Sequence, residues 1–513
     1  MKISISYPPL ETPKGKPTLG QNRQFQWFSS ATYIYPMVPA SAATLLKSKG
    51  YEVFWDDAIA QELTYQNWLE RIILEKPDII AIETKTPVVK RHWEIINELK
   101  NKLPNSKIVL MGDHVTTLPE ESLKNSQVDF VLTGGDYDFM LLNLANHLSK
   151  NEILQSGWYF FSKNQTQNCH PGESRDPGFA EKIWTSDQAQ DDSKEIINTG
   201  KFELKNNLDS LPDIDRELTQ WKLYSEKNGN FKNTPGTYLM SSRDCWWGKC
   251  TFCSWTTLYP DECNRTRSVE KVLDEIGKLI QLGVKEIMED SGTLPVGEWL
   301  QDFCHGLTDR GYNKQIKISC NMRINGIQNF QIYQLMKQAG FRMILFGLES
   351  ANQKTLDKLN KNLKVEEIES NLKNCKSSGL EPHLTIMLGY PWETKQDVLQ
   401  TLNLAKKLFK KNIIDSLQAT IVIPYPGTPL YNYCKENNLL LTQDYDKYDQ
   451  REQVIKTELS NAEIKKMTQE IYKSFVSFKF ILKKIISIRS FRDVKYFLQV
   501  GKKFRGHLLD FSN

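Results

Sequence analysis

Residues 237–253 read TYLMSSRDCWWGKCTFC, an extended apolar run followed at once by three cysteines within nine residues, Cys245, Cys250 and Cys253. This stretch decides the fold because of what comes after it. Extended apolar runs recur at VKEIMED (284–290), IKISCN (316–321), MILFGLE (343–349), LTIMLG (384–389) and LQATIVI (417–423). Segments with helical periodicity separate them near 268–282, 297–310, 328–339, 364–379 and 396–411. Six strands with intervening helices predict a partial (β/α) barrel over 236–435, with its chemistry at the carboxyl ends of the strands. The cysteines directly follow the first of those strands.

Three thiolates on one loop point to a metal cluster. A structural zinc site wants four protein ligands, usually two separated Cys/His pairs, and the sequence has no second CxxC or HxxxH to complete a tetrahedron. A [4Fe–4S] cube held by Cys245, Cys250 and Cys253, with one iron left open to a small ligand, suits the pattern better. The plain alternative is that the three are small buried hydrophobes. The other six cysteines are scattered singly, which disfavours a second cluster; Cys304 and Cys375 read as core residues. The Cys169-His170 pair sits in a polar loop and reads as incidental.

Working outward, the first 150 residues form an earlier βα series. Strands are predicted at 3–7, 51–56, 78–84, 107–112 and 128–134, with helices around 39–49, 66–75, 90–102 and 138–149. That alternation predicts a doubly wound parallel sheet, Rossmann-like, whose ligand would lie beyond the strands' carboxyl ends. Those ends carry YPPL, DDA, ETKT, GDHVTT and GGDYD, so Pro8, Asp57, Thr84, His114 and Gly134 are candidate cofactor contacts. Residues 151–235 break the rhythm, and 163–192 read as a polar loop insertion within a linker. The extension 436–513 is helical in pattern; from 461 it carries twelve Lys/Arg against four Asp/Glu. It reads as a helix packed on the barrel, with peripheral membrane contact as the alternative.

At 513 residues the chain is long enough for two or three domains. A net charge of +4 gives no case for a nucleic-acid partner. Nine unevenly spread cysteines do not look like a disulfide framework, and with no leader or apolar span in the sequence the expected setting is the cytoplasm.

In order and spacing these motifs resemble the radical S-adenosylmethionine (SAM) superfamily, in its branch with an N-terminal cobalamin-binding domain. SRDCWWGKCTFC is similar to that family's cluster loop, MEDSGTL to the end of its second strand and NMRIN to its third. LMKQAGFRMILFGLESANQKTLDKLNK resembles its fourth strand and helix, MLGYPWET its fifth and PYPGTPLY its sixth. YPPL, WDDA, PDIIAIET and MGDHVTTLPEES resemble the cobalamin-type half. The chain departs from the pattern in three places. Four residues, not three, separate the first two cysteines; Asp244 stands where glycine is common; and GGDYD replaces a Gly-Glu-x-Glu run. No DxHxxG motif is present, so His114 reads as a loop residue near the corrin and not as a cobalt ligand.

The resemblance implies a [4Fe–4S] cluster that reduces SAM to a 5′-deoxyadenosyl radical, with cobalamin as a further cofactor. It implies Glu289, Asp290 and Ser291 against the SAM amino group, Arg323 and Glu349 at its carboxylate or ribose, and Gly389 with Glu393 on the adenine side. A plain Arg323–Glu349 ion pair is the structural alternative. The expected reaction is cobalamin-dependent methylation of an unactivated carbon, or of phosphorus, in a specialised metabolite, lipid or peptide, with a flavodoxin or ferredoxin as reductant. Radical oxidation, cyclisation or rearrangement with the same cofactors is the second reading, and a non-catalytic iron–sulfur redox sensor the third.

Overall fold

A computed structural model describes residues 1–20, 25–29, 31–162, 195–260 and 264–475, with four single positions in the tail. The polar insertion 163–192, Cys169, His170 and Cys263 therefore lie outside the described residues, as does most of the basic tail.

Two sheets organise the chain. The first contains β1 (Lys2–Tyr7), β4 (Glu52–Asp57), β5 (Ile79–Glu83), β6 (Lys107–Met111), β7 (Phe130–Leu132), β8 (Trp158–Phe161) and β9 (Ile196–Asn198). A short hairpin, β2 (Lys16–Thr18) and β3 (Gln26–Phe28), stands apart between β1 and the first helix. Spatial order in the sheet is β4-β1-β5-β6-β7-β8-β9. The first five run parallel, and in order of appearance they lie 2-1-3-4-5, the flavodoxin-like doubly wound order. Central strands such as β5 (IIAIE) are buried at every position, as a sheet covered by helices on both faces requires.

The sequence reading placed these five strands and their helices to within one or two residues. It did not see the hairpin or the last two strands. β8 and β9 pair antiparallel on the β7 edge, so part of the stretch read as linker belongs to the sheet. Strands of three and four residues flanking a polar insertion leave too little alternation to detect.

The second sheet is all parallel and in simple sequence order: β10 (Gly236–Leu239), β11 (Glu286–Glu289), β12 (Lys317–Arg323), β13 (Phe341–Glu349), β14 (Glu381–Leu388) and β15 (Ser416–Ile421). This is the expected six-stranded partial barrel. Ser268 caps the helix after the cysteine loop by accepting from Lys271 N, and Thr394 with Asp397 forms a capping box on the helix after β14. The helix Asn461–Phe475 covers the β15 edge, where Ala419 N donates to the Tyr472 hydroxyl at 2.9 Å. So the opening of the C-terminal extension does pack on the barrel. Among the described residues no helix is long and apolar enough to cross a membrane.

The carboxyl ends of the two sheets meet. Thr117, at the end of the short helix Asp113–Thr117 after β6, lies so close to Gly427, after β15, that a Cβ at 427 would overlap its hydroxyl; with φ at +87°, glycine is required twice over. A small pocket at this junction is lined by Gly20, Ile34, the turn Tyr35–Pro39, Met240 and Asp290.

Candidate active site

The cysteine loop leaves β10 and crosses the mouth of the barrel. Cys245, Cys250 and Cys253 are all free and half-buried. Gly292, just past β11, makes room for the loop: a Cβ there would stand 3.1 Å from the Cys245 Cβ and 2.7 Å from Trp255 Nε1. The Trp246 indole donates to Leu294 O at 3.1 Å, and Trp247 donates to Asn360 O at 2.8 Å. The two indoles are thus anchored at different places, Trp246 beyond β11 and Trp247 just after the helix Gln353–Lys358.

Two cations sit behind those indoles. Arg323, at the end of β12, lies 4.1 Å from the Trp247 ring centroid and 5.7 Å from that of Trp246, and bonds Lys361 O. Lys361 pairs with Glu349 at 3.3 Å. Among the described residues no ion pair joins Arg323 to Glu349, so the plain pair considered above is not what forms. Burial raises the Cys250 thiol pKa, while Lys361 and Arg323 pull it back. Burial pushes Cys253 up to about 12, with Cys250 and Cys245 adding to the rise. Such thiols stay protonated unless a cation takes the place of the proton, which suits a metal-ligating role.

Among the described residues no three His, Cys, Asp or Glu side chains gather tightly enough for one metal ion. A four-iron cube engages its thiolates through separate irons, and three thiolates on one loop fit that group.

The remaining candidates fall into two groups. At the end of β11, Glu289 is fully buried; it accepts from Ser241 N at 2.9 Å, from Ser241 Oγ at 2.8 Å and from Ser291 Oγ, while its Oε2 has no partner among the described residues. Ser242 N donates to Ser291 Oγ at 2.9 Å, and Asn321 Nδ2 lies 3.5 Å from Asp290. Glu349 takes φ +68°, unusual for a residue with a side chain. Gly389 turns the chain at φ +94°, but Glu393 is engaged elsewhere, accepting from Ser350 Oγ at 2.7 Å. The hydroxyl of Tyr390, one of the aromatic residues near strand ends that the sequence offers as pocket lining, is buried without a partner among the described residues. Its surroundings include Glu349 and Cys250.

At the N-terminal sheet edge, Pro8 is buried after β1 and Asp57 accepts from the Tyr224 hydroxyl at 2.5 Å. Thr84 Oγ1 stands 2.7 Å from His92 Nδ1, whose Nε2 is unpartnered among the described residues. Beside it Tyr7 donates to Glu83 Oε2 at 2.5 Å, leaving Oε1 without a partner among the described residues. His114 uses both ring nitrogens, on Thr86 Oγ1 at 3.1 Å and Glu121 at 3.0 Å. Gly134 N donates to Thr116 Oγ1 at 3.1 Å, and Gly134 packs on Phe202.

A third set was missed. Arg243 donates to both oxygens of Asp138 at 2.8 Å and to Asp136 at 3.2 Å; Arg265 bridges Asp136 at 2.6 Å and Asp244 at 2.8 Å. Burial raises Asp136, but Arg243 and Arg265 outweigh it and hold the carboxyl below its usual range. The residues in which GGDYD and Asp244 depart from the family pattern are those that tie the cysteine loop to the other sheet. Only the place of Arg243, two residues before Cys245, hinted at this.

Residues 239–405 match the family model of the Radical SAM superfamily. That stretch, which spans the barrel strands from the end of β10 through β14, is a radical SAM domain. Like other radical SAM enzymes it calls for a [4Fe–4S] cluster and SAM, and its cysteine loop lies inside the matched region. The chain is 27% identical over 446 residues to an uncharacterized methyltransferase of Pyrococcus horikoshii, covering 86% of this chain and 87% of that one. It is 24% identical over 410 residues to the anaerobic magnesium-protoporphyrin IX monomethyl ester cyclase of Cereibacter sphaeroides, covering 79% of this chain but 60% of the cyclase. In fold it is similar to the cobalamin-dependent radical SAM enzyme OxsB, with TM-score 0.68, 14% identity, and 98% of this chain and 71% of that one covered.

One consequence for this radical SAM site can be measured without any cofactor. Burial raises the Glu289 carboxyl to about 7, opposed by its bonds from Ser291 and Ser241. The folded state prefers the neutral acid, so this stabilisation is complete below the ordinary carboxyl range and drains away as pH rises through about 7. Glu289→Gln should therefore flatten the fall in Tm between roughly pH 5 and 7.5, leaving the part due to Glu393, which burial also raises to about 7. Superimposable Tm profiles would show that Glu289 is already ionised.

Proposed function

We propose that this radical SAM enzyme is a cobalamin-dependent methyltransferase acting on an unactivated carbon, or phosphorus, of a small molecule, lipid or peptide. The observation that carries the reading is the apposition of the two sheets: the cysteine loop faces the carboxyl edge of a 2-1-3-4-5 sheet, where doubly wound folds bind their ligands. The likeness to OxsB over nearly the whole chain and the relation to a named methyltransferase support it. Glu83 Oε1 and His92 Nε2, buried and without a partner among the described residues, offer polar anchors on that edge.

When bound, the cluster and SAM would supply one-electron cleavage of a carbon–sulfur bond, and cobalamin a transferable methyl group. The chain's own residues hold and orient. Cys245, Cys250 and Cys253 would ligate the cluster, with Arg323 and Lys361 offsetting its negative charge. Glu289, with a carboxylate oxygen to spare, would take the SAM ammonium, which would draw its proton off; Asp290 and Ser291 close that side. Arg323 and Glu349 face the carboxylate and ribose positions, and Gly389 leaves backbone open toward the adenine. Glu393 is assigned to the same region, though its bond to Ser350 makes it a support for the loop. Pro8, Asp57, Thr84, His114 and Gly134 would border the corrin, and because both nitrogens of His114 are in use the cobalt would receive no ligand from it.

The cyclase relative favours a second reading, radical oxidation or ring closure. Anaerobically reconstituted protein given SAM, a strong reductant and hydroxocobalamin decides between them. Methyl transfer predicts S-adenosylhomocysteine that forms only when the corrin is present, together with corrin absorbance that survives gel filtration. Deoxyadenosine with no homocysteine product would favour the second reading.

A further inference from the structure

We propose that the surface formed by the 353–364 segment and the outer end of the cysteine loop is the docking site for a small acidic electron-transfer protein. The inference rests on the cysteine loop holding the cluster. From Gln353 to Lys364 the chain carries Lys354, Lys358, Lys361 and Lys364 against a single carboxylate, Asp357. Lys361 turns inward to Glu349, whereas Lys354, Lys358 and Lys364 are exposed, and among the described residues none of these three pairs with a carboxylate.

This segment is joined directly to the ligand loop. Thr251 N donates to Leu359 O at 3.2 Å, Thr251 Oγ1 to Lys358 O at 3.0 Å, and Trp247 Nε1 to Asn360 O at 2.8 Å. The lysines are therefore carried on the same few residues that brace Cys250. Exposed Lys249 lies beside that cysteine, 5.5 Å from the Trp247 centroid, and Lys358 sits 4.6 Å from the Trp392 centroid and 5.7 Å from that of Tyr433, itself 38% exposed. Half-exposed aromatic rings ringed by lysines form an adaptable, positively charged face. Electron transfer weakens steeply with distance, and here the half-buried thiols come up directly beneath such a face. A partner with an acidic rim would be drawn to it and held over the loop.

The transfer balances simply. The partner's reduced flavin gives up one electron and the cluster takes it, so the flavin ends one electron more oxidised.

The test uses full-length protein and a recombinant flavodoxin. Simultaneous Lys354→Glu, Lys358→Glu and Lys364→Glu should weaken flavodoxin binding, measured by calorimetry, by about tenfold or more, and wild-type affinity should fall as ionic strength rises from roughly 0.05 to 0.3 M. SAM cleavage driven by reduced flavodoxin should drop in parallel, while cleavage driven by dithionite and the cluster's visible absorption stay at wild-type levels. Unchanged flavodoxin affinity in the triple variant overturns the docking site. Absence of cluster absorption in the wild-type protein would instead overturn the underlying assignment of the loop, and the two failures are told apart by that spectrum.

Discussion

Cys250→Ala will remove the broad visible absorption of anaerobically reconstituted protein and take SAM cleavage to background. With the three loop thiols proposed as ligands, no fourth cysteine stands in reserve among the described residues: Cys304, Cys320, Cys375 and Cys434 are buried. Cys250 is the middle cysteine of the loop, beside Lys361 and Arg323, and burial raises its thiol pKa. Metal binding and deprotonation are therefore one event, and the alanine variant can do neither. Cys304→Ala is the control. It deletes a fully buried core thiol from the helix Glu298–Asp309 and should cost about 1–2 kcal/mol of stability while leaving the absorption intact. Persistence of the spectrum in Cys250→Ala would mean that the ligands lie elsewhere.

Asp138→Ala will destabilise the protein by about 3–5 kcal/mol in urea unfolding, the loss typical of a buried ion pair from which one partner is removed. The Asp138 side chain is 0% exposed and that of Arg243 is 6% exposed, so the guanidinium would be left in a dry junction with Asp136 alone, which Arg265 already shares. Removing both partners should be far milder. The double variant Arg243→Met with Asp138→Leu takes the charges away together and should recover most of the loss, although the cysteine loop would lose its tether. An unfolding midpoint unchanged in Asp138→Ala would show that water reaches the pair. The consequence for function follows from position, because Arg243 is two residues from Cys245: slackening this junction should loosen cluster retention even where the fold survives.

Much of this was legible in the chain itself. Alternation of extended and helical periodicity is a local property, and it located both βα series, including all six barrel strands. The cysteine spacing, too, is local chemistry, and it identified the loop and the cluster it suits. Near-continuous apolar runs such as IIAI (79–82) announced strands covered on both faces. The polar insertion after Phe161 masked β8 and β9, because strands this short carry almost no period of their own.

What the tertiary structure alone decided are meetings between residues far apart along the chain. Lys361 reaches Glu349 while Arg323 stacks on the loop's indoles, so the pair expected from charge alone does not form. Glu393, which the resemblance implies on the adenine side, also accepts from Ser350, a partner 43 residues away along the chain. Asp136 and Asp138, more than a hundred residues before the cysteines, clamp the cysteine loop to the first sheet. Local patterning carries the period and chemistry of each segment. Which strand ends face one another depends on the packing of whole sheets, and no short stretch of sequence contains that.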